Sequence, residues 1–224
     1  MSRLFQKRNN YNHRETLHRK RKRKVWVAFE GVSTEPKYFE ELKNLLSNND
    51  EVICELMTLH RAKNDGKSHP YHVKNGLIQF YNEHRESFDD NDSLWIVIDI
   101  DKHFGSGEKA KEKYLNFLNT LKTNGQVEIK AAISKPCFEL WLLLHYEDVE
   151  KLDLVKLKNN KKTGKQTYAK RLLNKYEDQQ NINNLDNVTL ALSRAKHSKL
   201  EQDINRLIDN VGTLVYLLIE ELFK

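Results

Sequence analysis

Short runs of apolar and β-branched residues alternate along the chain with stretches whose apolar residues recur at helical spacing. The runs predict four strands, at Val25–Gly31, Val52–Leu59, Leu94–Ile98 and Val127–Ser134. Helical spacing predicts helices over residues 33–46, Tyr71–Arg85, about 108–125 and Cys137–Glu147. Strands that alternate with helices are joined by right-handed crossovers in a parallel sheet. We therefore predict an α/β fold: an open, mostly parallel sheet flanked by helices.

Composition divides the chain into three regions. Residues 1–24 hold ten Lys/Arg and one Glu, whereas the other 200 residues hold 28 Lys/Arg and 31 Asp/Glu. We predict a basic N-terminal arm over residues 1–24 and an α/β core over residues 25–150. Residues 151–224 are predicted to form a helical region packed on that core, with a last helix at Thr213–Phe223.

Cysteine usage and hydropathy restrict the setting of the protein. Cys54 and Cys137 form no CxxC pair, which favours a reducing compartment. No apolar run reaches the roughly 18 residues of a membrane span, and the basic start has no apolar core typical of a secretory signal. We expect a cytoplasmic protein without a membrane partner. The sequence leaves open whether two copies form a homodimer.

Two basic segments are candidate nucleic-acid contacts. The candidates are the lysines and arginines at the end of the arm and three lysines of a later loop: Arg19, Lys20, Arg21, Lys22, Arg23, Lys24, Lys161, Lys162 and Lys165. Clustered basic side chains neutralise phosphates and release counterions, which makes such binding sensitive to salt. The alternatives are a solvated tail for the arm and an ordinary exposed loop for the three lysines.

Acidic residues follow three of the predicted strands. The segment "WIVIDIDKHF" places Asp99 and Asp101 at the end of one strand, Glu30 ends the first, and Glu139 lies in the helix after the fourth. Sites in open α/β sheets form beyond the carboxyl ends of the strands. Asp99 and Asp101 point to the same side of an extended chain, about 6–7 Å apart. We therefore expect these carboxylates to share one site, provided that their strands are neighbours.

Carboxylates gathered in this way repel one another unless a cation lies between them. Mg²⁺ (or Mn²⁺) prefers oxygen ligands, polarises phosphoryl oxygens and makes bound water a better nucleophile. The sequence has no Cys/His set with zinc spacing. The alternative is that strand-end aspartates only form turns.

Three segments together resemble the RloB-like family of prokaryotic proteins associated with restriction and anti-phage loci. The segments are "EGVSTEPKYFEEL", "WIVIDIDKH" and "SKPCFELWLLLHYE", and the resemblance runs from about Val25 to the C-terminus. The E-G turn and the later DxD also resemble a toprim domain, the metal-binding fold of topoisomerases, primases and overcoming-lysogenisation-defect nucleases.

The resemblance implies a role for each matching position. Glu30, Asp99 and Asp101 would bind metal, with Glu30 also available as general acid or base, and Glu35 would serve a second metal. Glu139 would complete the carboxylate cluster, although it and Glu35 could instead only favour the positive ends of their helices.

Three other residues near these motifs are assigned no metal-binding role. Lys135 stands where relatives are expected to carry Asn, and it could contact a phosphate. His145 is interpreted as a structural histidine. Cys137 could have a lowered pKa at a helix start, but no partnering base is evident, which argues against a nucleophile.

The leading functional hypothesis is a divalent-metal-dependent nuclease that cuts DNA or RNA as the effector of an anti-phage system. The resemblance adds an ABC- or AAA-type ATPase encoded in the same locus as a partner. The second hypothesis is a non-catalytic module that binds nucleic acid or a phosphate signal and regulates that ATPase.

Two further enzyme classes share part of the pattern. A receiver domain also has a strand-end Asp and a later Lys-Pro, but it needs an acidic pair after its first strand, where only Glu30–Gly31 stands. A DxD glycosyltransferase uses metal too, yet a strongly basic arm suits it less.

Overall fold

The computed structural model describes residues 21–47, 51–57, 70–100, 104–105, 107–121, 128–176 and 184–224. Arg19, Lys20 and Asp101 lie outside these residues, so their predicted roles stay predictions. Within the described ranges, no helix is both long and apolar enough to cross a membrane.

A five-stranded sheet forms the centre of the molecule. Its strands are β1 (Arg23–Phe29), β2 (Val52–Met57), β3 (Ser93–Asp99), β4 (Ile129–Lys135) and β5 (Gly212–Thr213), in the order β2-β1-β3-β4-β5. The first four strands are parallel, and β5 runs antiparallel to β4. The predicted sheet is confirmed, and β1, β3 and β4 are neighbours whose carboxyl ends lie at one edge.

Helices flank this sheet, as predicted. They are α1 (Thr34–Leu45), α2 (Pro70–Glu83), α3 (Glu108–Leu121), α4 (Glu139–Leu143), α5 (Leu154–Asn159), α6 (Tyr168–Leu173), α7 (Leu185–Ala195) and α8 (Val215–Leu222). Short 3₁₀ turns lie at Arg85–Ser87, Val149–Lys151 and Asn174–Tyr176. The α/β fold class follows from this arrangement of layers.

Two predicted helices have different ends in the structure. The helix predicted over Cys137–Glu147 is α4, which covers only Glu139–Leu143. Beyond it, His145 N and Tyr146 N donate to carbonyls three residues back. The α-helix therefore gives way to tighter turns and ends. The last helix begins at Val215, because Gly212 and Thr213 instead pair with β4. The Ser134 and Thr213 hydroxyls lie 2.9 Å apart across that pair.

A buried cluster of aromatic rings joins α1 to α4. Tyr38 packs edge-on against Phe138, Trp141 and His145, and its hydroxyl lies 3.2 Å from His145 Nε2. His145 Nδ1 lies 3.1 Å from the Trp141 carbonyl, which can only accept, so Nδ1 carries the proton and Nε2 accepts from Tyr38. Burial lowers the pKa of His145 to about 4, which keeps the ring neutral. The structural role predicted for this histidine agrees with both contacts.

The opposite edge of the sheet, at the amino ends of the strands, contains a charged network around Glu221. The Glu221 carboxylate accepts from Ser93 Oγ at 2.5 Å and from Lys130 Nζ at 2.7 Å. Arg23 lies 3.5 Å from the same carboxylate and donates to the Glu221 carbonyl at 2.6 Å. Burial alone would raise the pKa of Glu221, but the hydrogen bonds from Lys130 and Ser93 outweigh it and leave the pKa below its ordinary value. This network fastens α8 to three strands.

Substituting Glu221→Gln is expected to lower the free energy of unfolding by about 2 kcal/mol at neutral pH, the scale of hydrogen bonds to a buried charge. Because the folded-state pKa is depressed, this contribution is present above the ordinary glutamate pKa and is lost as pH falls through the folded value. Urea unfolding at several pH values measures both effects. The matched control is Glu220→Gln, whose ion pair with Lys196 is more exposed and should be worth less than about 1 kcal/mol. Equal losses in the two variants would contradict the structural role assigned to Glu221.

Candidate functional site

The tips of β1 and β3 are tied together by backbone and side-chain hydrogen bonds. Glu30 N donates to the Val97 carbonyl at 3.0 Å, so the ladder between the two strands continues to the residue after β1. Glu30 Oε2 then accepts from Asp99 N at 3.2 Å. The Glu30 carboxylate is therefore turned toward the end of β3, where Asp99 lies.

Glu35 reaches the same strand end from the first turn of α1. It is buried, and an ideal Cβ added to Gly31 would lie only 2.0 Å from Glu35 Oε2. The Glu35 carboxylate thus occupies the space that a side chain at position 31 would need. This explains why the turn after β1 is Glu-Gly, since any larger residue would displace the second carboxylate.

Glu139 reaches the end of β3 from the segment that follows β4. It is the first residue of α4, four residues after the end of β4. The backbone of Ile100, directly after Asp99, donates to the Ser134 carbonyl at 2.8 Å, which aligns the ends of β3 and β4. The structure therefore brings together Glu30, Glu35, Asp99 and Glu139, four of the residues predicted from sequence.

Asp99 lies at the centre of this group of four acidic residues, which we call the carboxylate cluster. Burial raises the pKa of Asp99 well above its ordinary value, and the charges of Glu35, Glu139 and Glu30 raise it further. A hydrogen bond from the Phe138 backbone opposes these effects only in part. The Asp99 Oδ1 atom is buried and accepts no hydrogen bond from the described residues. The cluster thus contains an acceptor oxygen that is removed from water and crowded by like charge.

Cys137 and Lys135 border the cluster. Burial and the nearby carboxylates of Glu139 and Asp99 raise the pKa of the Cys137 thiol, so it stays protonated at neutral pH. The lowered pKa considered from its position at a helix start is wrong, because desolvation and like charge dominate there. Lys135 is the last residue of β4 and precedes a cis peptide bond to Pro136. It lies at the same edge of the sheet as the cluster, and its predicted contact with phosphate stays a prediction.

The donor atoms of the cluster suit a hard divalent cation. All four side chains offer carboxylate oxygens, the ligands that Mg²⁺ prefers, and Asp99 Oδ1 has an unused acceptor site among the described residues. In the described part of the chain, however, no three acidic, His or Cys side chains form a ready ligand set for a metal. Asp101, the second member of the DxD motif, lies outside that part. The carboxylate oxygens of the site therefore fit a divalent metal ion. Metal binding itself stays a prediction.

The described end of the basic arm is far from this edge in the fold. Arg21 pairs with Asp89 at 3.1 Å and with Asp92 at 2.9 Å. Arg23 begins β1, and Lys24 lies over the Trp26 ring, 5.4 Å from its centroid. These contacts lie at the amino ends of the strands, whereas the cluster lies at the carboxyl ends. The structure does not bring the end of the arm, which includes Lys22, to the carboxylates.

The three loop lysines lie in the segment between α5 and α6. Lys161, Lys162 and Lys165 follow α5 and are exposed. Sequence reasoning missed Asn160, which precedes them and contacts both Cys137 and the backbone of Ala169. An Asn directly after a lysine-containing helix is a known helix-end signal and could have identified it.

A family model described as RloB-like protein matches residues 25–222, which is nearly the whole chain. No curated protein and no solved structure is significantly similar to the chain.

The close approach of Glu35 to Gly31 predicts a specific thermodynamic coupling. Gly31→Ala should lower the free energy of unfolding by about 1–3 kcal/mol, the usual cost of overpacking, because the new methyl group displaces the Glu35 carboxylate. In a Glu35→Ala background the same substitution should cost much less, whereas in a background of Glu40→Ala, an exposed residue of α1, the cost should be unchanged. Urea unfolding of the six proteins measures the cycle. The same cost in all three backgrounds would refute the contact.

Crowding at Asp99 predicts that the metal-free protein gains stability when this charge is removed. Asp99→Asn should raise the free energy of unfolding by about 1–2 kcal/mol at pH 8, a gain typical of relieving a functional site. Because the folded-state pKa is raised, wild-type stability is lost as pH climbs from the ordinary aspartate pKa through the folded value, so the gain should shrink in acid. Thermal unfolding in EDTA across this pH range measures it. Asp90→Asn, at an exposed turn, should change little. A loss of stability in Asp99→Asn would contradict the described crowding.

Proposed function

The chain belongs to the RloB-like family, and we propose that it is a divalent-metal-dependent nuclease with a toprim-like site that hydrolyses phosphodiester bonds in DNA or RNA. The observation that carries the proposal is the convergence of Glu30, Asp99 and Glu139 from three neighbouring segments, with Glu35 folded against Gly31. A fold held together only by packing has no need of four carboxylates, two of them buried, at one edge of the sheet.

Each carboxylate has a distinct part in the proposal. Glu30, Asp99 and Asp101 would hold Mg²⁺ or Mn²⁺. Glu35 would be available to a second ion, and Glu139 would complete the carboxylate cluster. The cation would supply Lewis-acid activation of a phosphoryl oxygen and of water. Glu30 is held toward Asp99 by its hydrogen bond from Asp99 N, so it is oriented to take a proton at the cluster. Lys135, at the end of β4, would contact the phosphate from the neighbouring strand.

The biological setting follows from the family resemblance. The nuclease would act in the cytoplasm as the effector of an anti-phage system and would be controlled by an ATPase encoded in the same locus. A binding module that uses the same cluster to hold a metal and a phosphate is the alternative. Only cleavage distinguishes the two.

Metal dependence is tested by stability and by cleavage in parallel. Mg²⁺ or Mn²⁺ at about 100 times its Kd should stabilise the wild-type protein by about 2.7 kcal/mol. Glu30→Gln and Asp99→Asn should lose this stabilisation and should lower cleavage of labelled DNA or RNA at least about 100-fold, whereas Glu112→Gln, on the exposed face of α3, should change neither. Thermal unfolding and gel assays with both nucleic acids provide the measurements.

The outcomes separate the candidate functions. Metal binding that depends on the cluster, without cleavage of any tested nucleic acid, would favour the binding module. Cleavage that survives in Glu30→Gln and Asp99→Asn would refute the proposed site.

A further inference from the structure

The described end of the basic arm and the second basic segment are attached to different parts of the fold. The described end of the arm lies at the amino ends of the strands, where Arg21 and Arg23 pair with acidic side chains. The second segment follows α5 and continues into α6, which packs on α4, the helix that begins with Glu139. We call residues 160–166 of this segment the lysine hairpin.

The backbone of the lysine hairpin has a defined shape. Thr163 N donates to the Gln166 carbonyl at 3.0 Å, and Gln166 N donates back at 3.4 Å. Gly164 lies in the turn with φ of +61°, a conformation that side chains disfavour. The Arg171 guanidinium donates to the Gln166 carbonyl at 2.9 Å and to the Lys161 carbonyl at 3.5 Å, which closes the base of the hairpin.

Asn160, the first residue of the lysine hairpin, holds the hairpin beside the carboxylate cluster. It ends α5 in the left-handed conformation, with φ of 38°. Its Oδ1 accepts from Ala169 N at 3.0 Å, and its Nδ2 donates to Cys137 Sγ at 3.6 Å. Cys137 lies two residues before Glu139. One side chain therefore connects the hairpin, α6 and the turn that carries a member of the cluster.

The hairpin lysines are not neutralised within the described chain. Lys161, Lys162 and Lys165 are exposed, and none forms an ion pair with a described residue. Residues 154–176 contain eight Lys/Arg and no acidic residue. Lys199, which is also exposed, instead pairs with Glu150. An ordered hairpin that keeps like charges together without counter-charges is suited to a polyanion.

We propose that the lysine hairpin binds the phosphate backbone of the polynucleotide whose phosphodiester bond reaches the carboxylate cluster. The identity of the polyanion rests on the proposed function. An anionic strand is repelled by the four carboxylates, and positive charge anchored beside them offsets this repulsion. Lysine ammonium groups are flexible point charges, so the hairpin holds the backbone without reading its sequence.

Binding in EDTA tests the inference without cleavage. The probes are labelled single-stranded and duplex DNA and RNA, titrated from about 50 to about 200 mM salt. The hairpin variant is Lys161→Gln with Lys162→Gln and Lys165→Gln. The matched control removes the same charge at three other exposed lysines, with Lys109→Gln, Lys113→Gln and Lys224→Gln. Thermal unfolding verifies that both variants are folded.

The hairpin variant should bind its best probe about 10–100 times more weakly at low salt. The slope of log K against log salt should fall by about 2–3, since each lost phosphate contact contributes about 0.7–0.9. The control should keep both the affinity and the slope close to wild type. Polyglutamate, an acidic polypeptide, should compete poorly with the probe.

Several results would overturn the inference. These are equal losses in the two variants, no binding of any probe by the wild-type protein at low salt, or hairpin-dependent binding in which polyglutamate competes better than the nucleic acids. Hairpin-dependent binding without cleavage when metal is restored would leave the inference standing and refute the nuclease. Metal-dependent cleavage by the wild-type protein, together with a hairpin variant that binds and cleaves like wild type, would support the nuclease and refute the inference.

Discussion

Mutual repulsion among four carboxylates at one edge of a parallel sheet is the constraint around which this molecule is organised. The parallel register of β1, β3 and β4 forces their carboxyl ends to the same edge, and the ladder bonds of Glu30 and Ile100 continue that register to the tips. Hydrophobic burial along the strands supplies the free energy that holds the tips together. Burial of the apolar core thus offsets the electrostatic repulsion at the site, as is common where a fold supports a function.

The two edges of the sheet treat buried charge in opposite ways. At the amino edge, Glu221 is surrounded by Ser93, Lys130 and Arg23, and its pKa lies below its ordinary value. At the carboxyl edge, Asp99 is surrounded by other acids, and its pKa lies above its ordinary value. Burial raises the pKa at both positions, so burial alone does not explain the difference. The amino edge is compensated by neighbouring positive groups, whereas the carboxyl edge is relieved by protonation of Asp99 or, in the proposed function, by a bound cation.

Much of the fold, and the site positions Glu30, Asp99 and Glu139, followed from local patterns in the sequence, whereas Glu35 was assigned through the family resemblance. Continuous apolar runs identify β1 to β4 because a strand covered on both faces needs no polar residue, and Glu30 and Asp99 stand out as charges that end such runs. The pair Gly212–Thr213 gives no such signal, because two residues are too short for a period and only the neighbouring β4 makes them a strand. The early end of α4 and the bond from Asn160 to Cys137 were also beyond reach. Both depend on contacts between segments that are distant in sequence.

The aromatic cluster beneath the site has a consequence for how acid would act on the protein. Tyr38 lies one turn after Glu35 on α1, and His145 lies beyond the end of α4, which begins with Glu139. Protonation of His145, whose pKa is about 4, would remove the acceptor for the Tyr38 hydroxyl and place a cation among packed rings. The contact between α1 and α4, the two helices that carry these glutamates, would then weaken. Acidification to about pH 4 would in this way weaken the packing of α1 against α4.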